Sequence, residues 1–142
     1  MSENSQSEAP KHTYKGNCHC NRVQFTAELA KGPNQGEIVR CNCSICTKNG
    51  LYWVYGNESD VKFESGKEEM TGYKFGDKKA EHWFCPTCGT NVWCMSADPN
   101  FNPGLIALNV GTFKGIDMNS PDLRVKQYNN GKTNGRTYEF DG

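Results

Sequence analysis

Ala80-Glu81-His82-Trp83-Phe84 and Asn91-Val92-Trp93-Cys94-Met95 are two short runs rich in aromatic and β-branched side chains, joined by Cys85-Pro86-Thr87-Cys88-Gly89-Thr90. Each run has the length of a strand, and the Pro and Gly between them are turn residues. A Cys-x-x-Cys turn aims two sulfurs at one point, and Gly89 supplies the backbone freedom that lets it close with N–H groups facing sulfur. The stretch therefore predicts a β-hairpin tipped by half of a metal site.

The rest of the chain repeats the theme of short strands. Arg22 to Ala27 alternates polar and apolar residues, Leu51 to Tyr55 is continuous and aromatic, and Val61 to Phe63 is brief. Met70 to Phe75 and Leu105 to Val110 extend the series, with turn residues between, as at Gly76-Asp77 and Asp98-Pro99-Asn100. Near the C-terminus, Asn130-Gly131 and Asn134-Gly135 are hairpin-type turn dipeptides between short polar strands. No long window carries a 3.6-residue apolar period. The expectation is an all-β fold with little helix, a single domain over residues 13–142 behind a disordered polar tail over residues 1–12.

Composition explains why metal would matter. Of 142 residues, 35% are hydrophobic, against ~45–50% in ordinary soluble domains on a count that includes Gly. A core this lean needs help, and eight cysteines are the candidates. Sixteen basic residues balance sixteen acidic ones. A domain that neutralises many phosphates is basic on one face, so the balance argues against nucleic acid as a partner. The apolar runs fall far short of the ~20 residues of a membrane span. The opening segment, Ser2 to Lys11, lacks the hydrophobic centre of a secretory signal. Cytosol or nucleus is the expected compartment, and thiols stay reduced there.

In that compartment clustered cysteines read as metal ligands rather than disulfides. Cys18/Cys20, Cys41/Cys43/Cys46 and Cys85/Cys88 lie in three tight groups, with Cys94 apart. A closed structural zinc takes four ligands, commonly two pairs; a catalytic zinc keeps three protein ligands and an open position. Seven clustered cysteines divide into Cys18, Cys20, Cys85 and Cys88 around a structural zinc, and Cys41, Cys43 and Cys46 around an open, catalytic one. The alternative pairs two of the middle three with Cys85 and Cys88, leaving Cys18 and Cys20 idle. Soft sulfur donors favour zinc, with iron the competing metal. Cys94, in an apolar strand, is expected to be a buried packing residue. His82 is expected to be structural or to stand beside the open metal; His19, between two ligands, must point away, and His12 falls in the tail.

Gly16-Asn17-Cys18-His19-Cys20-Asn21-Arg22-Val23-Gln24-Phe25, Cys41-Asn42-Cys43-Ser44-Ile45-Cys46-Thr47-Lys48-Asn49-Gly50, and Phe84 to Thr90 resemble the signatures of the glutathione-dependent formaldehyde-activating enzyme family. The C-terminal domain of centromere protein V shares them, and Leu108 to Phe113 resembles the family's strand after the Cys85/Cys88 turn. The resemblance runs from about residue 14 to 128. It implies a small zinc-stabilised all-β fold of several short coiled antiparallel sheets and two zinc ions. It assigns Cys18, Cys20, Cys85 and Cys88 to the structural zinc and Cys41, Cys43 and Cys46 to the catalytic one. The implied activity is that of a carbon–sulfur lyase, joining formaldehyde and glutathione into S-hydroxymethylglutathione. Gly111-Thr112-Phe113-Lys114 departs from the family, carrying Phe and Lys where many members have Leu and Asp.

A three-thiolate zinc would accept a substrate thiol as thiolate, the reactive form, with no side-chain nucleophile required. Arg40 and Lys48, beside the cluster, are candidates to attract the carboxylates of glutathione. The competing reading is a zinc-stabilised module that binds a protein or chromatin without catalysis. A redox or metal-storage protein would explain the thiols but not their separation into distinct groups.

Overall fold

Alternation builds the first sheet. On β1 (His12–Asn17) Tyr14 and Gly16 are buried between exposed neighbours, and on β2 (Gln24–Leu29) Phe25, Ala27 and Leu29 point to the same core. The strands pair antiparallel with Gly16 opposite Phe25. The Phe25 ring occupies the space that a side chain at 16 would need. β2 also pairs antiparallel with β5 (Val61–Ser65), completing a three-stranded sheet. The computed structural model that supplies these coordinates describes residues 10–75, 80–98, 100 and 103–128.

Seven strands form the second sheet: β3 (Ile38–Cys41), β4 (Trp53–Asn57), β6 (Thr71–Lys74), β7 (Ala80–Phe84), β8 (Asn91–Ser96), β9 (Leu105–Asn109) and β10 (Val125–Tyr128). Their spatial order is β10-β3-β4-β9-β8-β7-β6, antiparallel throughout except that β10 runs parallel to β3. The two sheets share a core. Phe63 of β5 lies 4.7 Å from Trp93 of β8, ring centre to ring centre, and Phe25 lies 5.9 Å from Phe113.

The large sheet is covered on its other face as well. There Cys43, Cys46, Leu51, Trp53 and Ala107 form a second buried cluster. Ile106 and Leu108 serve the main core while Ala107, between them, serves the second. Burial on both faces is why this strand reads as an unbroken apolar run.

Strands dominate and helix is sparse, as the sequence led us to expect. The one α-helix among the described residues, α1 (Ser44–Asn49), was not anticipated. Six residues are too few for a 3.6-residue period to declare itself. Two strands, β1 and β3, were not expected; both have weak local patterns and each is defined by the neighbour it pairs with. β10, exposed on every residue, is a short polar strand just ahead of Asn130-Gly131, where one was expected. Consequently Cys18 and Cys20 do not precede the first strand but lie between β1 and β2, and His12 opens β1 rather than closing a tail. The first anticipated strand begins at Gln24 rather than Arg22. Most of the polar tail, the turns at Gly76-Asp77 and Pro99, and both Asn-Gly dipeptides lie outside the described residues. No described helix is long and apolar enough to cross a membrane.

Candidate metal centres

Two groups of cysteine sulfurs converge, Cys18/Cys20/Cys85/Cys88 and Cys41/Cys43/Cys46, with the sulfurs of each group within 4.8 Å of one another. None of the eight cysteines is in a disulfide.

The first group joins two turns. The β1–β2 turn carries Cys18 and Cys20, closed by a hydrogen bond from the Cys18 N–H to the Val23 carbonyl (3.2 Å) and by Asn21 in the left-handed region at φ 71°. Asn tolerates that conformation better than other non-glycine residues. The β7–β8 turn carries Cys85 and Cys88; Gly89 (φ 82°) donates to the Cys85 carbonyl at 2.7 Å. The His19 N–H donates to Thr90 Oγ1 at 3.2 Å, tying one turn to the other, while the His19 side chain is exposed.

Sulfur spacing distinguishes metal from disulfide. Cys18 Sγ lies 3.7 Å from Cys20 Sγ, which lies 3.6 Å from Cys85 Sγ. A disulfide would need about 2.05 Å, whereas thiolates around one tetrahedral zinc, bonded at ~2.3 Å, stand about 3.8 Å apart. The donor set fits a closed zinc site. Burial raises the Cys88 thiol, but hydrogen bonds from Thr90, whose hydroxyl is 3.2 Å away, outweigh it and bring Cys88 down to about 5.

The second group spans a strand end and a helix. Cys41 ends β3, Cys43 is the extended residue that caps α1, and Cys46 lies in the helix, which Gly50 stops at φ 63°. The Cys43 N–H donates to Cys41 Sγ at 3.4 Å, and the Trp53 indole N–H donates to Cys46 Sγ at 3.2 Å. Hydrogen bonding to Cys43 pushes the Cys41 thiol up, and hydrogen bonding to Cys41 and Cys43, followed by burial, pushes Cys46 up. Three thiols this close resist ionising together without a cation, and a soft divalent metal is the cation their sulfurs suit. Three donors leave a tetrahedral site one ligand short.

That three-sulfur cluster sits in a pocket of about 470 Å³. Trp53, Tyr55, Met95, Leu105 and Ala107 form much of its wall, with Tyr128 reaching it from β10. β10 is pinned there by the Asn42 N–H, which donates to the Tyr128 carbonyl at 3.0 Å. His82 and Cys94 face each other across β7 and β8 and also line the pocket. His82 is buried, with Trp53 and Phe75 each 5.7 Å from its ring. Cys94, expected as core packing, is only partly buried and stands on the pocket wall. Burial, then the neighbouring cysteines, pushes the Tyr55 phenol up, so it stays protonated at neutral pH. Arg40 and Lys48 are exposed and outside the lining; the Arg40 guanidinium lies 5.7 Å from the Tyr52 ring centre. Tyr55, Met95, Leu105 and Tyr128 carried no sequence signal, since nothing local marks which strand faces will meet at the cluster.

Comparison with known proteins agrees with this geometry. A crystal structure of a Rhodobacter sphaeroides protein, a structural-genomics target, superposes with a TM-score of 0.68 at 32% sequence identity, covering 79% of this chain and 99% of that one. The family model described as glutathione-dependent formaldehyde-activating enzyme matches residues 13–130. The chain, with its two cysteine clusters in that span, belongs to the family of glutathione-dependent formaldehyde-activating enzymes.

Proposed function

We propose that the protein is a zinc-dependent carbon–sulfur lyase that joins a thiol such as glutathione to formaldehyde, or cleaves the adduct. The observation that carries this reading is the contrast between the clusters. Four sulfurs at closed-site spacing lie between two turns, whereas three lie in a pocket of about 470 Å³. Cys18, Cys20, Cys85 and Cys88 hold the structural zinc; Cys41, Cys43 and Cys46 hold the catalytic one. A zinc with three thiolate ligands and an open position supplies Lewis acidity and favours the thiolate form of a substrate thiol.

The chain's own residues do the rest. Trp53 orients Cys46 through its N–H, and the apolar wall limits water around the reacting sulfur. In the forward direction the thiol sulfur bonds to the aldehyde carbon, and the carbonyl π pair moves to oxygen. The proton lost from sulfur is returned to that oxygen. His82, whose imidazole lines the pocket, carries it on a ring nitrogen. Tyr55 donates a hydrogen bond to the oxygen as charge develops there. The cytosol, with reduced thiols, is the compartment such a site needs.

The test is adduct formation from glutathione and ¹³C-formaldehyde, followed by NMR. Zinc-loaded protein is expected to accelerate approach to equilibrium, and chelator-treated protein is not. Two tightly held zincs that a thiol leaves unperturbed, with no acceleration, would support the non-catalytic binding module instead.

A further inference from the structure

Beside the three-cysteine pocket lies a second cavity of about 310 Å³, and His82 lines both. Helix α1 is divided between them in the same way, with Cys46 on the larger and Ile45 and Asn49 on the smaller. The smaller cavity has polar groups in its wall: the carboxamides of Asn49 and Asn91 and the phenol of Tyr73. Each residue is held by a neighbour. Asn49 Nδ2 donates to the Ile45 carbonyl at 3.1 Å, and its NH₂ group carries a second hydrogen to offer. The Asn91 carbonyl accepts from Asn109 Nδ2 at 2.8 Å, which fixes the start of β8. The Tyr73 ring stacks on Phe75, centres 5.9 Å apart. A carboxylate that accepts two or three hydrogen bonds is stabilised in its charged form, whether or not a cation also stands nearby.

Distances suit a short peptide arm. Cys46 and Asn49 are three residues apart on the helix, so their side chains start about 5–6 Å from one another. A peptide extends by about 3.5 Å for each residue. In a thiol peptide whose sulfur lies at the three cysteines, the residue after the cysteine therefore ends close to Asn49. At about 310 Å³ the cavity is near the lower end of ligand-pocket sizes, room for an arm rather than a whole molecule.

We propose that this second cavity is the subsite for the glycyl arm of glutathione, whose terminal carboxylate is held by Asn49, Asn91 and Tyr73. The inference rests on the reading above, in which Cys41, Cys43 and Cys46 mark where the thiol sulfur goes. From there the chain passes His82 into the smaller cavity. The γ-glutamyl arm, with the other carboxylate and the ammonium, stays on the side of the larger pocket. Asn49 and Asn91 thereby become specificity residues, recognising the part of the tripeptide that takes no part in the chemistry.

The experiment uses the full zinc-loaded chain and titration calorimetry with glutathione, γ-glutamylcysteine and cysteinylglycine. The first two share the thiol and the γ-glutamyl arm, so their ratio reads the glycyl arm alone. Glutathione is expected to bind at least tenfold tighter than γ-glutamylcysteine. Asn91→Ala and Asn49→Ala should each cut that ratio at least threefold, with γ-glutamylcysteine binding as it does to the unaltered chain. Asn49 is exposed, so its variant keeps the test open should Asn91→Ala not fold. Equal affinity of the unaltered chain for the two thiols overturns the inference, as does a ratio that the folded variants leave unmoved. A loss that tracks the γ-glutamyl arm instead, read as the ratio of glutathione to cysteinylglycine, overturns it too. Each of these outcomes leaves the lyase reading standing. If no thiol binds and the glutathione adduct forms no faster than in buffer, the lyase reading fails along with it.

Discussion

The indole N–H of Trp53 points at Sγ of Cys46, 3.2 Å away, from a side chain that is itself almost fully buried. A hydrogen bond to a ligating sulfur fixes its direction and stabilises the thiolate. Trp53→Phe keeps the packing and deletes the donor. It is expected to weaken metal binding at the three-cysteine cluster by about 10–100-fold, read by competition with a chromophoric chelator. The four-cysteine cluster should keep its metal; an equal loss at both would mean the bond serves only the fold.

The two clusters should fail differently. Cys43→Ser is expected to lower bound zinc from two ions to one and to abolish activity while the circular dichroism spectrum is retained. Cys85 is fully buried where two turns meet, its sulfur 3.6 Å from that of a residue 65 positions away. A structural zinc supplies ~10 kcal/mol or more, as large as the ~5–15 kcal/mol net stability of a typical domain. Cys85→Ser should therefore unfold the protein. Should Cys43→Ser unfold it as readily, the division into structural and catalytic sites is wrong.

His82 is held between Trp53 and Phe75 on the pocket wall. His82→Gln keeps polarity and approximate size but cannot exchange a proton near neutrality. Turnover is expected to fall by about 10²-fold or more, with thiol affinity and zinc content unchanged. A matching fall in zinc content would assign His82 to the fold instead.

Gly66 tests the four-cysteine turn from outside. It sits at φ 81°, and a Cβ there would meet the backbone carbonyl of Arg22, two residues after Cys20. Left-handed backbone costs a non-glycine residue about 1–2 kcal/mol, and the carbonyl cannot move without shifting the turn. Gly66→Ala should lower urea-unfolding stability by about 2 kcal/mol or more. Metal affinity at Cys41, Cys43 and Cys46 should not change.

Part of the site was legible because part of it is local. Cys41, Cys43 and Cys46 lie in six consecutive residues, and Cys85 and Cys88 share a turn; over such distances spacing alone brings sulfurs together. The joining of Cys18 and Cys20 to Cys85 and Cys88 followed from counting ligands, since no local signal links turns so far apart. Helix α1 is not legible in the sequence because six residues hold too little of a period, and β1 and β3 because their local patterns are weak. Arg40 and Lys48 were chosen for sequence proximity to the cluster, but side chains on alternate faces of a strand and around a helix diverge, and neither reaches the pocket.

By itself, then, the sequence determined that this chain would be mostly strand and would carry sulfurs in metal-binding groups, because strand alternation and cysteine spacing are properties of neighbours. Only the tertiary structure decided what surrounds the three-sulfur group. Tyr55, His82, Cys94, Leu105 and Tyr128 come from five different strands, and it is strand order and register that bring them to one pocket. One shifted residue in any of those strands would turn its side chain to the opposite face of the sheet.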